Sequence, residues 1–291
     1  MNHSLTASSP VSKRLSPRKM AFITGTLLLT STGFICRILG FFYRIFMSRT
    51  IGAEGLGIYN MVHPIFSICF AVCAGSIQTA LSQYVAANQT RGRAVFRTGL
   101  VIAMGMSFLL AWVIYGNAGF LAEKLLLEPR CAPYLPVMAV SVPFAALHAC
   151  INGYYYGMQK ARVPAFSQVA EQVIRMGAVF LIASIWLESG RQITVSLAVY
   201  GHLIGEMASA VFTVFCLGFF PPCKDGDSRR APAIPLSFGA TAAPLMALAL
   251  PLMGNRLILN VLGSAEAIWI PNKLMSSGLT NSEALSVSVS Y

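Results

Sequence analysis

The sequence predicts an all-α fold, a bundle of helices that crosses a membrane several times. Three observations carry that reading. Of the 291 residues, 56% are hydrophobic and only 11% charged, with a mean hydropathy of +0.66; an ordinary globular chain has about 25% charged residues. The apolar residues gather into seven runs, each near the roughly 20 residues that a helix needs to cross a ~30 Å hydrocarbon core. Finally, the lysines and arginines between the runs sort by side.

The runs divide the chain in order. Residues 1–19 are a polar tail carrying Lys13, Arg14, Arg18 and Lys19. The first run, Phe22–Phe46, follows this basic tail as a signal sequence would. It is too long for a signal core, lacks a small-residue cleavage site and holds two arginines, so it reads as a retained helix. The next runs are Met61–Ala87, Phe96–Tyr115 and Tyr134–Tyr156; the last ends in Tyr154-Tyr155-Tyr156, a triplet that suits an interfacial belt. Ala165–Leu187 and Ile193–Phe219 complete a six-helix lobe over residues 20–220. Residues 221–235 are polar and Pro-bounded, a linker. Leu236–Leu262 then opens a second lobe over 236–291. It is followed by polar Pro271–Leu285 and by Ser286–Tyr291, where an eighth helix starts without room to finish. The expectation is one lobe plus one or two helices of another, truncated after the seventh helix.

A net charge of +11 invites a nucleic-acid reading, but its distribution argues against one. Twelve basic residues fall in the tail, the second loop (Arg91, Arg93, Arg97), the fourth (Lys160, Arg162) and the sixth (Lys224, Arg229, Arg230). Five lie on the opposite side: Arg49, Lys124, Arg130, Arg191 and Lys273. Excess Lys and Arg marks cytoplasmic loops. The expectation is therefore a cell-membrane protein with its N-terminus inside, whose basic loops meet anionic membrane lipids. The seven cysteines show no CxxC or zinc spacing. Five lie in the runs and Cys131 reads as external, so neither a disulfide framework nor a metal site is expected.

Ionisable groups inside a span are costly and point to function. In the first run, Thr26, Thr30, Gly33, Arg37, Gly40 and Arg44 follow one another by three or four residues, one helical stripe. Two cations on such a stripe face a watery cavity or carboxylates. For Arg37 the alternative is an ion pair with Glu171 or Glu206; for Arg44 it is snorkelling to the interface. The second run offers Gln78 among small residues that suit close helix packing. The fourth offers Asn152 and His148, the latter reading more readily as a packing residue than as a proton relay. The fifth has Gln168, Gln172 and Arg175, with Glu171 four residues before Arg175 in the order that favours an intrahelical pair. The sixth has His202, Glu206, Ser209 and Thr213 on one face, and the seventh Asn255, Arg256 and Asn260.

Polar stripes on most runs predict helices around a shared hydrophilic cavity. Its candidate substrate contacts are Arg37, Arg44, Gln78, Asn152, Gln172, Arg175 and Arg256; its candidate ion-coupling groups are Glu171, Glu206 and His202. A surplus of guanidinium suits an anionic cargo. There is no P-loop, HExxH, GxSxG or compact Asp/His cluster. The expectation is not an enzyme: no catalytic residue, no cofactor and no metal.

Longer motifs resemble a family. The run from Gly25-Thr26-Leu27 through Arg37-Ile38-Leu39-Gly40-Phe41-Phe42-Tyr43-Arg44 to Gly52-Ala53-Glu54-Gly55-Leu56-Gly57-Ile58-Tyr59 resembles the first helix and loop of the stage V sporulation protein B family. Gly75 to Ala80, Gly153 to Gln159, Pro164 to Gln168, Glu171-Gln172, Arg175, Ile270 to Met275 and Ser282 to Leu285 fit the same pattern, over about residues 20–285. That family sits with polysaccharide exporters (oligosaccharide flippases) and lipid II flippases, in the superfamily that also holds multidrug extruders. The resemblance implies two six-helix lobes around a central cavity, alternating access, and a lipid-linked anionic oligosaccharide as cargo. It also implies a role in spore cortex peptidoglycan, with Arg37 and Arg44 meeting pyrophosphate or sugar acids. The lipid II flippases carry an arginine near the middle of the second helix, where this chain has Ile68-Cys69-Phe70, so lipid II itself does not carry over. A one-lobe chain would need a second copy or cell-wall synthesis proteins as partners. Two rival readings remain: a non-transporting scaffold for those enzymes, and a cation-coupled multidrug extruder of the same fold.

Overall fold

The computed structural model describes residues 17–222 and 238–277, and among them every regular element is helical. Most of the tail, most of the linker and the expected start of an eighth helix lie outside the described residues. The long elements are α1 (Pro17–Phe70), α2 (Ser76–Ala87), α3 (Gly92–Gly116), α5 (Leu135–Gly157), α6 (Arg162–Glu188), α7 (Ser196–Phe219) and α8 (Phe238–Ser276), with a short α4 (Ala118–Phe120) between α3 and α5. In hydrocarbon every backbone N–H and C=O must be satisfied within the chain, and unbroken helices do this.

Six helical stretches are long and apolar enough to cross a membrane, against seven runs in the sequence. The difference lies in the first, Ile23–Ala87, which holds two runs. The segment expected to be a loop between them is helical, because only Gly52 leaves helical geometry (φ 76°, ψ 169°). A positive φ of this kind suits glycine. It reverses the chain. Tyr43 and Tyr59 would stand ~24 Å apart on a straight helix, yet both pack against the cluster of Met47, Leu56, Val179 and Leu197. Downstream, α1 contains Pro64 and passes into a π-helical turn, Ala71–Gly75, before α2. Ser76 Oγ donates to the Ala71 carbonyl (2.8 Å), five residues back, across the wider π-helical turn.

The helix α5 is the hub. Its membrane window is 72% buried, against 11% for α6, and it packs on α2, α3 and α7. Small residues make this possible: a Cβ on Gly153 would lie 2.7 Å from the Gln78 carbonyl oxygen. The expected tyrosine belt is corrected here. Tyr154 and Tyr155 are buried, and the Tyr155 hydroxyl sits 2.9 Å from the Cys216 carbonyl and 2.8 Å from that of Phe220. It serves the open carbonyls at the end of α7, a role that only tertiary packing creates. α6 pairs with α7 and α1, while α8 lies against α2, α1 and α3.

Two boundaries also move. α1 begins at Pro17, inside the expected tail, and α8 continues through Pro271-Asn272-Lys273 to Ser276, where the sequence reading placed a polar segment. At 1.5 Å per residue α8 is ~58 Å long, more than the ~30 Å a hydrocarbon core requires.

Basic residues of the second and fourth loops gather at one end of the bundle. Lys160 and Arg162 share a cavity with Met20 and Thr24 of α1, and Arg93 and Arg97 line another beside Pro221. At the other end Arg130 bonds Glu128 (2.8 Å) and Glu54 (2.6 Å), tying the α3–α5 connection to the turn after Gly52. Cys131, read as external, is fully buried within that connection. Burial, with Glu128 nearby, pushes its thiol up to about 12.

Candidate functional site

The helices α1, α5, α6 and α7 enclose a cluster of ionisable side chains. Glu206 of α7 is at its centre. His148 Nε2 of α5 lies 2.8 Å from one carboxylate oxygen. The guanidinium of Arg175 on α6 is 3.6 Å from the other, and also pairs with Glu171 one turn back on its own helix. His202, one turn before Glu206, stands 3.9 Å from it, beyond hydrogen-bond reach. Its ring packs edge-on against Phe66 (4.4 Å) and His63 (5.6 Å).

Local sequence explains the convergence. Glu171 and Arg175, and likewise His202 and Glu206, are four residues apart and share a helix face. His148 reaches Glu206 because α5 packs directly on α7. One turn along, Asn152 Nδ2 lies 3.5 Å from Ser167 Oγ, which is 2.7 Å from Ser209 Oγ. A polar ladder thus runs from Arg175 to Ser209 through the middle of the bundle.

The cluster is not closed. Tyr43 Oη, His148 Nδ1, Asn152 Oδ1, Arg175 Nε and both nitrogens of His202 are buried with no hydrogen-bond partner. Buried polar groups left unbonded are costly, and here six such atoms lie around one carboxylate pair. His148, Glu171 and Glu206 bring one ligand atom each to within 4.8 Å of one another. Arg175 already pairs with both carboxylates, so the donor set carries its own cation and is a poor fit for a metal.

Other expected site residues lie elsewhere. Arg37 and Arg44 are exposed, and neither meets Glu171 or Glu206 in an ion pair; Arg175 and His148 hold those carboxylates instead. This overturns the ion-pair alternative for Arg37. The arginine stripe runs along the margin between the packed arc of α1 and an open arc that exposes Phe34, Phe41 and Ile45. Gln172 is half-buried, its amide nitrogen 3.8 Å from where a Cβ on Gly40 would be. Gln78 is half-buried on α2, where its backbone abuts α5. Arg256 of α8 donates from Nη2 to Thr79 Oγ1 (3.0 Å) and lies against Gly75. Asn260 donates to the Ser67 carbonyl (3.3 Å). Arg256 and Asn260 line a cavity of ≈ 280 Å³ with Phe66, Ser67 and Phe70. The expected site residues therefore divide among a buried ionic cluster, an exposed arginine stripe with Gln172 beside it, and a contact of α8 with the π-turn, with Gln78 apart from all three.

Sequence reasoning missed His63, Tyr43 and Ser167. Tyr43 sits next to Arg44, one position round the helix toward the packed arc. His63 is one residue before Pro64, and an ionisable group in a membrane run was the signal available for it.

Known proteins give a consistent picture. The family model for polysaccharide biosynthesis protein matches residues 22–278. Stage V sporulation protein B of Bacillus subtilis (strain 168) is 29% identical over 267 residues, covering 90% of this chain and 51% of that protein. Lipid II flippase MurJ of the same organism is 23% identical, covering 65% and 38%. The chain thus spans about half the length of the curated relatives it matches. Among solved structures, an inward-facing multidrug resistance MATE family transporter of the MOP superfamily superposes with a TM-score of 0.59 at 15% identity, over 97% of this chain and 58% of that one. The eukaryotic MATE transporter AtDTX14 gives 0.55 at 14%. These likenesses fix the fold as a polytopic helical bundle. With the family model matched along most of its length, this chain, a multi-pass membrane protein, belongs to the polysaccharide biosynthesis protein family.

Proposed function

We propose that the protein is a flippase that moves a lipid-linked anionic oligosaccharide across the cell membrane by alternating access, with its N-terminus inside. Residues 20–220 serve as one lobe and residues 236–291 begin a second, joined by 221–235. The observation that carries this reading is the position of Arg37 and Arg44. Both are exposed on a helix of membrane length, where a guanidinium facing lipid is costly. A water-filled space holding pyrophosphate or sugar acids accommodates both, because guanidinium pairs bidentately with such groups. The named relatives support the class of cargo: one is a lipid II flippase and another a sporulation protein. The second supports placing this role in sporulation, with spore cortex synthesis as the proposed setting.

In this scheme the buried cluster couples transport to protons or cations. The 2.8 Å contact of His148 with Glu206 shares one proton, and the unbonded nitrogens of His202 offer it a next position. Rocking of the two lobes about a midplane site then changes water access to the pair.

The test is transport of a fluorescent polyprenyl-pyrophosphate disaccharide in proteoliposomes, read by the fraction accessible to a membrane-impermeant quencher. Removing a bidentate charged contact costs about 1.5–3 kcal/mol, so Arg37→Ala with Arg44→Ala is expected to slow transport by more than about tenfold. Arg49→Ala, near the turn, leaves it unchanged. Full transport by the double variant would sink the assignment. A cation-coupled extruder of the same fold would instead tolerate those changes, while Glu206→Gln is expected to impair either transporter.

A further inference from the structure

A cavity of ≈ 1010 Å³ opens between the start of α1, the α5–α6 turn and the end of α7. It is larger than the cavities at Arg93 and at Arg256, each ≈ 280 Å³. It shares no residue with the ionic cluster or the arginine stripe. Its floor is apolar, with Leu28, Val163 and the exposed rings of Phe219 and Phe220. Lys160 and Arg162 stand at its mouth, and no acidic residue lines it.

The turn that carries these cations is built rigidly. Gln159 adopts a left-handed backbone (φ 57°), and the Lys160 N–H donates to the Tyr155 carbonyl (2.9 Å). Both cations are exposed, and among the described residues neither has a carboxylate partner. The site lies where spans end, the part of a membrane helix that meets lipid headgroups. A hydrocarbon-lined recess with unneutralised basic groups at its headgroup end has the polarity of a phospholipid binding site.

We propose that this recess binds one anionic phospholipid, its phosphate between Lys160 and Arg162 and its acyl chain along Leu28, Val163 and Phe219. The inference is independent of transport: it concerns a structural or regulatory lipid, and it holds whether or not the protein is a flippase.

The experiment is native mass spectrometry of the purified full chain after titration with dioleoylphosphatidylglycerol or dioleoylphosphatidylcholine. Each basic group near an anionic lipid contributes about fivefold in affinity, so two give roughly a 30-fold preference for the glycerol lipid. In Lys160→Gln with Arg162→Gln the preference is expected to fall to near unity, with choline-lipid binding unchanged. Gly25→Leu fills the recess without touching charge; a Cβ there makes only ordinary contact with Ala161 (3.5 Å). It is expected to weaken both lipids alike. Equal binding of the two lipids by the unaltered protein overturns the proposal, as does a preference that survives the double substitution. So does binding that ignores Gly25→Leu.

Discussion

Replacing Arg175 with leucine removes the only guanidinium that pairs with either carboxylate of the buried cluster among the described residues. Its distance to Glu206 is 3.6 Å. Coulomb's law with an effective dielectric of about 20 puts that pair near 4–5 kcal/mol, in line with the ~3–5 kcal/mol lost when one partner of a buried pair is deleted. An upper limit comes from proton chemistry. A carboxylate left without its cation can take up a proton, which from the ordinary value of about 4.3 costs ~3.7 kcal/mol at pH 7. The expected loss is thus about 3–4 kcal/mol at pH 7, or roughly 5–7 °C in Tm for a chain of 291 residues. The sign with pH follows. In the variant the folded state binds the extra proton, so its deficit shrinks by ~1.4 kcal/mol for each unit of pH lowered. Thermal unfolding of the detergent-purified protein at pH 7.5 and 5.5, followed by near-UV circular dichroism, measures both quantities. A deficit below about 1 kcal/mol, or one that ignores pH, would refute the view that Arg175 neutralises these carboxylates. Glu171→Gln added to Arg175→Leu should recover part of the loss, because one orphan charge goes with it.

Two further outcomes test the packing. Gly153→Ala should lower stability by about 3 kcal/mol, the upper part of the range for overpacking. Its Cβ meets the Gln78 carbonyl oxygen at 2.7 Å, and backbone cannot yield cheaply. Gly105→Ala on α3 meets nothing within 4 Å and should match or exceed the parent in the same melt. Cys131 should resist maleimide at pH 8 in the folded protein and react on unfolding, as mass mapping of the peptide would show. Its folded thiol, held up to about 12, stays protonated while the unfolded one ionises from about 8.5. Stability from this group is therefore full below pH 8.5 and declines as pH rises toward 12; rapid labelling of native protein would contradict that burial.

The spans were legible because hydrocarbon forces the same solution on any apolar run of sufficient length. The ends were not, since nothing in Ser48–Ile51 or Asn272–Lys273 forbids helix and only a glycine at 52 permits the reversal. The buried cluster was half legible. Glu171–Arg175 and His202–Glu206 follow from helical spacing, which is local. His148 to Glu206 spans 58 residues and depends on which face α5 turns to α7, which composition does not encode. Tyr154 and Tyr155 failed for the same reason, as an aromatic at the end of a span suits the lipid interface and the bundle interior equally well. The stripe of Arg37 and Arg44 was legible as a stripe; its place at the edge of the packed arc was not.

Gly52 has a mechanical consequence. Between the spans of α1 there is no slack, only one residue's two torsions (φ 76°, ψ 169°). Two residues on, Glu54 is held by Arg130. Together with its packing on α6, this joint sets the bearing of the first span, as a crank is set from its far end. A small change in torsion at residue 52 swings Arg44, about two helical turns away, and swings Arg37 further. The direction in which the arginines point is thus linked to a joint and a brace at the opposite end of the bundle from the recess at Lys160.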